Sequence, residues 1–221
     1  MNEIYKVKYY QLAMLRNQGY NTDVEDRLTY FERFEEKGML EEFIEANHIL
    51  SRRYISKLKD EAKYCYYVKG KIAKDDVTAM KREVGNTSVI ILISKDGMTP
   101  VALTELIDLT SKGYRFVTFK FAELSFDLFK NYLVPLHRKL SRTERKELIK
   151  KSGISLDQLP RITDQDPAVK RIDAQPGDVV KIYRRSNLHN SIVGKTVAYR
   201  LVVYQLPEDR AALAKKIKIS I

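Results

Sequence analysis

The sequence predicts two domains of different class: an α/β domain over residues 1–138 and a small α+β domain over residues 139–221 built on a short, largely antiparallel sheet. Three observations carry this reading. The apolar run Ser88 to Ser94 sits between helical patterns at Asp75 to Arg82 and from Thr99 onward, an alternation of strands and helices typical of α/β domains. Further on, Asp178 to Arg184 and Thr196 to Tyr204 are β-rich runs with charge interleaved, separated by a polar stretch. That spacing reads as a hairpin with an enlarged tip. Finally, Asp166-Pro167 is a strong helix start and Pro176-Gly177 punctuates the chain soon after, leaving room for only a short covering helix.

Taken in order, residues 3 to 20 place Tyr5, Tyr9, Leu12, Ala13 and Leu15 on one side of a helix, which Gly19 ends. Val24 to Ile49 is a second amphipathic segment with Leu28, Phe31, Phe34, Leu40, Phe43 and Ile44 as core candidates. The AKYCYYVKG stretch is a strand that carries Cys65 into the core, followed by a helix over Asp75 to Arg82 and a turn at Asn86-Thr87. After the SVIILIS strand, Asp96-Gly97 turns the chain, Thr99 caps the next helix and Pro100 fits its first turn. Val101, Leu103, Leu106, Ile107 and Leu109 supply that helix's apolar side. Such a junction presents N–H groups and the positive end of a dipole, and Lys95 beside it favours a phosphate. The bland alternative is a capped helix that meets only water.

Ser141 and Glu144 form a capping box that opens the basic helix RTERKELIKK, and Ser155 with Gln158 repeats the signature before Leu-Pro-Arg-Ile at 159–162. Leu136 to Ser141 is the expected domain boundary. Pro207 to Lys216 reads as a short basic helix.

Composition narrows the function. Lys+Arg number 40 against 29 Asp+Glu, a formal charge of +11 that favours nucleic acid or an acidic protein surface. The charge is uneven: Asp23 to Glu45 is acidic, whereas Arg138 to Lys151 and the tail from Arg210 are basic. One cysteine rules out an intrachain disulfide framework and fits a reducing, intracellular compartment. No apolar run reaches membrane-spanning length, and the start, MNEIYKVKYYQ, has no apolar signal core.

No catalytic site emerges. His48, His137 and His189 are far apart without partners at metal-ligand spacing, and there is no Gly-rich phosphate loop or nucleophile elbow. No metal site is read and no cofactor is implied. Asp60-Glu61-Ala62-Lys63 holds the Glu-x-Lys of Mg²⁺-dependent nucleases, which needs a further carboxylate such as Asp75 or Asp76. In so charged a chain that motif arises by chance.

A resemblance is carried by residues 133–158 and then by LPRI, DP, PGDVVKI and YRLVV, in this order, over some seventy residues up to Tyr204. The set resembles the C-terminal domain of the fifth-largest, shared subunit of eukaryotic RNA polymerases, a domain with a counterpart among the subunits of archaeal polymerase. Gly97-Met98-Thr99-Pro100-Val101-Ala102 is similar to the motif this family carries at a strand–helix junction of its N-terminal jaw, with Val101 in place of serine. The resemblance implies an α/β jaw domain and an α+β assembly domain. It implies a non-catalytic subunit that docks on the largest polymerase subunit and forms part of the lower jaw around downstream duplex DNA, with Mg²⁺ chemistry on the two largest subunits.

On that implication, Lys95, Thr99 and Pro100 face DNA phosphates. Pro160, Arg161, Asp166, Pro167, Arg184, Tyr199 and Arg200 carry the subunit interface. The expected setting is a nucleus or, for a viral homologue, the virion or infected-cell transcription compartment. Two departures stand out: Asp173 lies where the family has a glycine, so the turn is expected to differ, and the loop from Ser186 to Thr196 is long. A free-standing basic DNA-binding protein is the competing class. It is separable by tight, steeply salt-dependent binding of duplex by the chain alone.

Overall fold

The first helix, α1 (Glu3–Asn17), buries Val7, Leu12, Met14 and Leu15 together with the polar Lys8 and Gln11. Tyr9, expected inside, is 42% exposed; the buried stripe runs through residues 7–8, 11–12 and 14–15, which turns position 9 outward. Gly19 closes the helix at φ +86°, and the Tyr20 N–H reaches back to the Leu15 carbonyl at 3.0 Å. This is a computed structural model, and it describes residues 3–22, 51–57, 61–84, 89–185 and 195–204. The expected amphipathic segment at 24–49, the turn at 86–87, most of the long loop and the C-terminal extension lie outside the described residues. Two compact units divide the chain, Met1–Phe126 and Asp127–Ile221.

The first unit is organised on a four-stranded sheet of order β1-β2-β3-β4. Its strands are β1 (Arg52–Ile55), β2 (Ala62–Val68), β3 (Val89–Ser94) and β4 (Arg115–Lys120). The last three are parallel, joined by α2 (Lys74–Val84) and α3 (Pro100–Ser111), whereas β1 pairs antiparallel with β2. Every residue of β3 is buried, because helices cover both faces. Ile91 and Ile93 pack with Val7, Leu12, Leu15 and the short α4 (Phe121–Leu124). Ile90 and Leu92 pack the other way, against Val77, Met80, Ala102, Leu106 and Leu109.

Val101, expected on the apolar side of α3, is 60% exposed. Ala102 takes the inward position, in line with Leu106 and Leu109 at helical spacing. Strand β1 is absent from the sequence reading because only Tyr54 of its four residues is buried. Two lysines lie inside this unit beneath aromatic rings. Lys8 donates to the Tyr54 hydroxyl at 2.7 Å, and Lys63 donates to Gln18 at 2.7 Å with its ammonium 4.6 Å from the Tyr20 ring centre. Buried ammonium groups need such partners.

The second unit holds β5 (Leu136–Lys139), α5 (Arg142–Ser152), β6 (Arg161–Thr163), α6 (Pro167–Arg171), β7 (Val179–Arg185) and β8 (Lys195–Val203). Strand order is β5-β7-β8-β6. The β5–β7 and β7–β8 pairings are antiparallel, as expected for the hairpin, but β6 runs parallel to β8. The sheet expected to be largely antiparallel is therefore mixed. The cause is topological: α6 carries the chain past the neighbouring position, and β8 returns into the gap between β6 and β7.

One face of this sheet packs Leu140, Leu159, Val179 and Leu201 with Leu148 of α5. The other packs Val180, Ile182 and Val202 with Val169 of α6. Asp173 adopts φ +54°, a conformation that glycine reaches with least strain. The departure read there is thus a change of residue type at a positive-φ turn.

Candidate nucleic-acid and subunit interfaces

At the β3–α3 junction, the Thr99 hydroxyl donates to the Ile72 carbonyl at 3.2 Å and accepts from the Ala102 N–H at 3.3 Å. The Thr99 carbonyl accepts from the Leu103 N–H at 3.0 Å, and Pro100 has no N–H to offer. Thr99 therefore caps the helix and ties the loop after β3 to the loop after β2. Lys95 is exposed and reaches Glu3 at 3.6 Å, both side chains about half exposed, so that pair is weak and easily exchanged.

In the second unit the seven interface candidates separate by role. Pro160, Arg161 and Arg200 come together at the β6–β8 pairing. The Pro160 carbonyl accepts from the Leu201 N–H at 2.9 Å, and the Arg200 guanidinium donates to the Arg161 carbonyl at 3.3 Å. Asp166 and Pro167 start α6, where the Asp166 carboxylate accepts from Ala168 N–H at 2.8 Å and Val169 N–H at 3.3 Å. Arg184 is exposed and pairs in register with Thr196, whereas Arg200 pairs with Val180. Four residues along a strand amount to about 13 Å, so Arg184 stands apart from that group. Tyr199 lies on the opposite face from Arg200 by strand alternation and packs beside the α5 core.

Tyr199 also lines a cleft of about 420 Å³ with Arg138, Leu140, Glu144, Leu148, Lys151 and Lys181. Arg138 grips Glu144 with both guanidinium nitrogens, at 2.6 and 3.1 Å, and Glu144 also accepts from the Ser141 N–H at 2.9 Å. These bonds, Arg138 first, hold the Glu144 carboxyl down at about 2. Arg138 and then Lys181 hold the Tyr183 hydroxyl below its usual range, and the Lys181 ammonium lies 4.9 Å from the Tyr183 ring centre. Sequence reasoning missed this grouping. It saw Glu144 as a capping-box residue and Asp178 to Arg184 as a β-rich run with charge interleaved, but the β5–β7 register that brings Arg138 opposite Lys181 has no local signal.

In the Glu-x-Lys pattern, whose flanking Asp60 lies outside the described residues, the lysine is engaged inside the unit. Lys63 is 1% exposed, with its ammonium turned to Gln18 and Tyr20, and Asp76 accepts the Ala73 N–H at 2.7 Å at the start of α2. His137 Nδ1 contacts the Pro135 carbonyl at 2.7 Å. Among the described residues, no group of three or more His, Cys, Asp or Glu side chains is placed to hold a metal ion, and no helix is long and apolar enough to cross a membrane.

Residues 126–202, which enclose nearly all of the second sheet, match the family described as RNA polymerase Rpb5, C-terminal domain. The chain is 48% identical over 80 residues to DNA-directed RNA polymerase subunit Rpo5 of Archaeoglobus fulgidus, covering 36% of this chain and 100% of that protein. The chain belongs to the RNA polymerase Rpb5 family. The subunit of the same name from Thermococcus onnurineus is 46% identical over 82 residues, 37% of this chain and 95% of that protein. That of Pyrococcus horikoshii is 47% identical over 78 residues, 35% and 90% respectively. The resemblance read from LPRI, DP, PGDVV and YRLVV is to this family. The Rpb5 match contains all seven interface candidates and the cleft, while Lys95, Thr99 and Pro100 lie before it.

Proposed function

We propose that the chain is a non-catalytic subunit of a multisubunit DNA-dependent RNA polymerase. Its second unit docks on the largest subunit, and its first unit forms part of the lower jaw around downstream duplex DNA. The observation that carries the reading is family membership, with a match that runs the full length of the Archaeoglobus fulgidus subunit. The mixed sheet of the second unit supplies the docking surface. On it, Arg200 reaches the Arg161 carbonyl across the β6–β8 pairing that Pro160 joins, Arg184 adds a separate cation, and Tyr199 opens onto the cleft. Asp166 and Pro167 act by holding α6. In the first unit, Lys95 faces backbone phosphates while Thr99 and Pro100 fix the junction that presents it, a contact that positions DNA without reading sequence.

Crosslinking mass spectrometry on the assembled enzyme tests the docking half. Links from Lys146, Lys150 or Lys181 to the largest polymerase subunit are expected. Links confined to other subunits remove the docking assignment.

A further inference from the structure

We propose that the carboxyl ends of β2, β3 and β4 form a lysine ridge that holds the sugar–phosphate backbone of duplex DNA, with Lys69, Lys71 and Lys120 joining Lys95. The ridge rests on the reading of the first unit as DNA-facing and extends it from one strand–helix junction to three strand ends.

Register places the lysines side by side. Val68 pairs with Ser94, and Ser94 with Lys120, so Lys69, Lys95 and Lys120 fall within one residue of a common line across the sheet. Three strands at the usual spacing span about 10 Å. All four lysines are exposed. The loops after β2 and β3 are sewn together: Asp96 N–H donates to Gly70 at 3.4 Å, Ile72 N–H to Gly97 at 2.9 Å and Thr99 N–H to Ile72 at 3.0 Å. Lys71 is therefore held beside Asp96 and Gly97. Gly97, at φ +85°, keeps a floor without a side chain between Lys95 and Lys120, and a Cβ there would lie 3.6 Å from Lys120 Cε.

Two of the nearby carboxylates are engaged by backbone N–H groups. Asp76 accepts the Ala73 N–H at 2.7 Å and Glu123 the Lys120 N–H at 2.8 Å, so both are turned to helix starts. Glu3 meets Lys95 only at 3.6 Å in an exposed pair; Asp96 in the loop and Asp75 in the first turn of α2 remain as exposed acids. Both α2 and α3 begin at this same edge, and their dipoles add to its positive potential. In open sheets with parallel strands, ligands bind outside the carboxyl ends of the strands. Residues 69–74 and 95–100 contain no aromatic ring on which a base would stack. The ridge therefore suits phosphates of a duplex rather than bases of a single strand.

The test uses the full chain and fluorescence anisotropy with two unrelated duplexes, titrated between about 50 and 200 mM salt. The Lys71→Ala/Lys120→Ala variant should weaken both duplexes equally and lower the salt slope by about 2, close to one per lost phosphate contact. Lys146→Ala/Lys150→Ala, which removes the same charge from the second unit, should leave the slope unchanged. Equal loss in both variants, or no change in the ridge variant, overturns the ridge. If Lys95→Ala weakens binding and the ridge variant does not, the DNA-facing reading stands and the ridge falls. If the unaltered chain binds no duplex at about 50 mM salt, or Lys95→Ala is also without effect, both fall. Unchanged urea midpoints confirm that the variants are folded.

Discussion

Asp166 separates a structural role from a docking role, and a pair of substitutions reads out each. Its carboxylate satisfies two N–H groups of α6, and the residues that donate them, Ala168 and Val169, are buried against the second sheet. A five-residue helix cannot sustain itself and depends on its cap and its packing. Removing a capping side chain typically costs about 1 kcal/mol, and leaving a buried N–H unsatisfied adds to that, so Asp166→Ala should cost about 2 kcal/mol. Asp166→Asn keeps an acceptor oxygen and should cost less than about 0.5 kcal/mol, because Asn caps about as well as Asp.

Hydrogen exchange on the full chain is the assay. Protection of β7 should fall about 30-fold in the alanine variant, the ratio that 2 kcal/mol implies, and hardly change in the asparagine variant. Unchanged protection in Asp166→Ala would refute the capping argument. Loss of incorporation into polymerase by the well-folded Asp166→Asn would instead assign the negative charge to the interface.

Other outcomes follow from the same structure. Thr99→Val removes both the cap on Ala102 and the bond to Ile72 and should destabilise the first unit by about 1–2 kcal/mol in urea titration, whereas Thr99→Ser should be nearly neutral. Asp173→Gly relieves a positive-φ aspartate at about 1 kcal/mol, partly offset by greater freedom of the unfolded chain; a small rise in urea midpoint is expected, and Asp173→Val should lower it. Glu144 is held down at about 2, below its unfolded value near 4.3, so its contribution is present above about pH 4.3 and is lost as pH falls toward 2. Glu144→Gln should flatten that acid limb of the stability profile in acid titrations followed by circular dichroism.

Much of the second unit was legible because its signals are local. Asp166-Pro167, the Ser141–Glu144 box and the β-rich run Asp178 to Arg184 each depend on residues a few positions apart. The direction of β6 was not legible, since it depends on β8 inserting beside it from some forty residues downstream. In the first unit, β3 announced itself by continuous apolarity, but β1 has a single buried side chain and no periodic signal. Tyr9 and Val101 were misplaced because aromatic and aliphatic residues also occur on exposed helix faces, and Lys8 and Gln11 took buried positions that apolarity alone assigns elsewhere. Thr99 and Pro100 were readable as a cap. The lysines that follow β2 and end β4 were not, because only the parallel register brings them to one edge.

The central claim is membership of a polymerase, and gentle affinity purification of the tagged chain from its native source addresses it directly. Two very large polymerase subunits should co-purify together with promoter-independent RNA synthesis, and charge reversal at Arg161 and Arg200 should reduce both. Recovery of the chain alone, or with partners unrelated to transcription, would contradict the account.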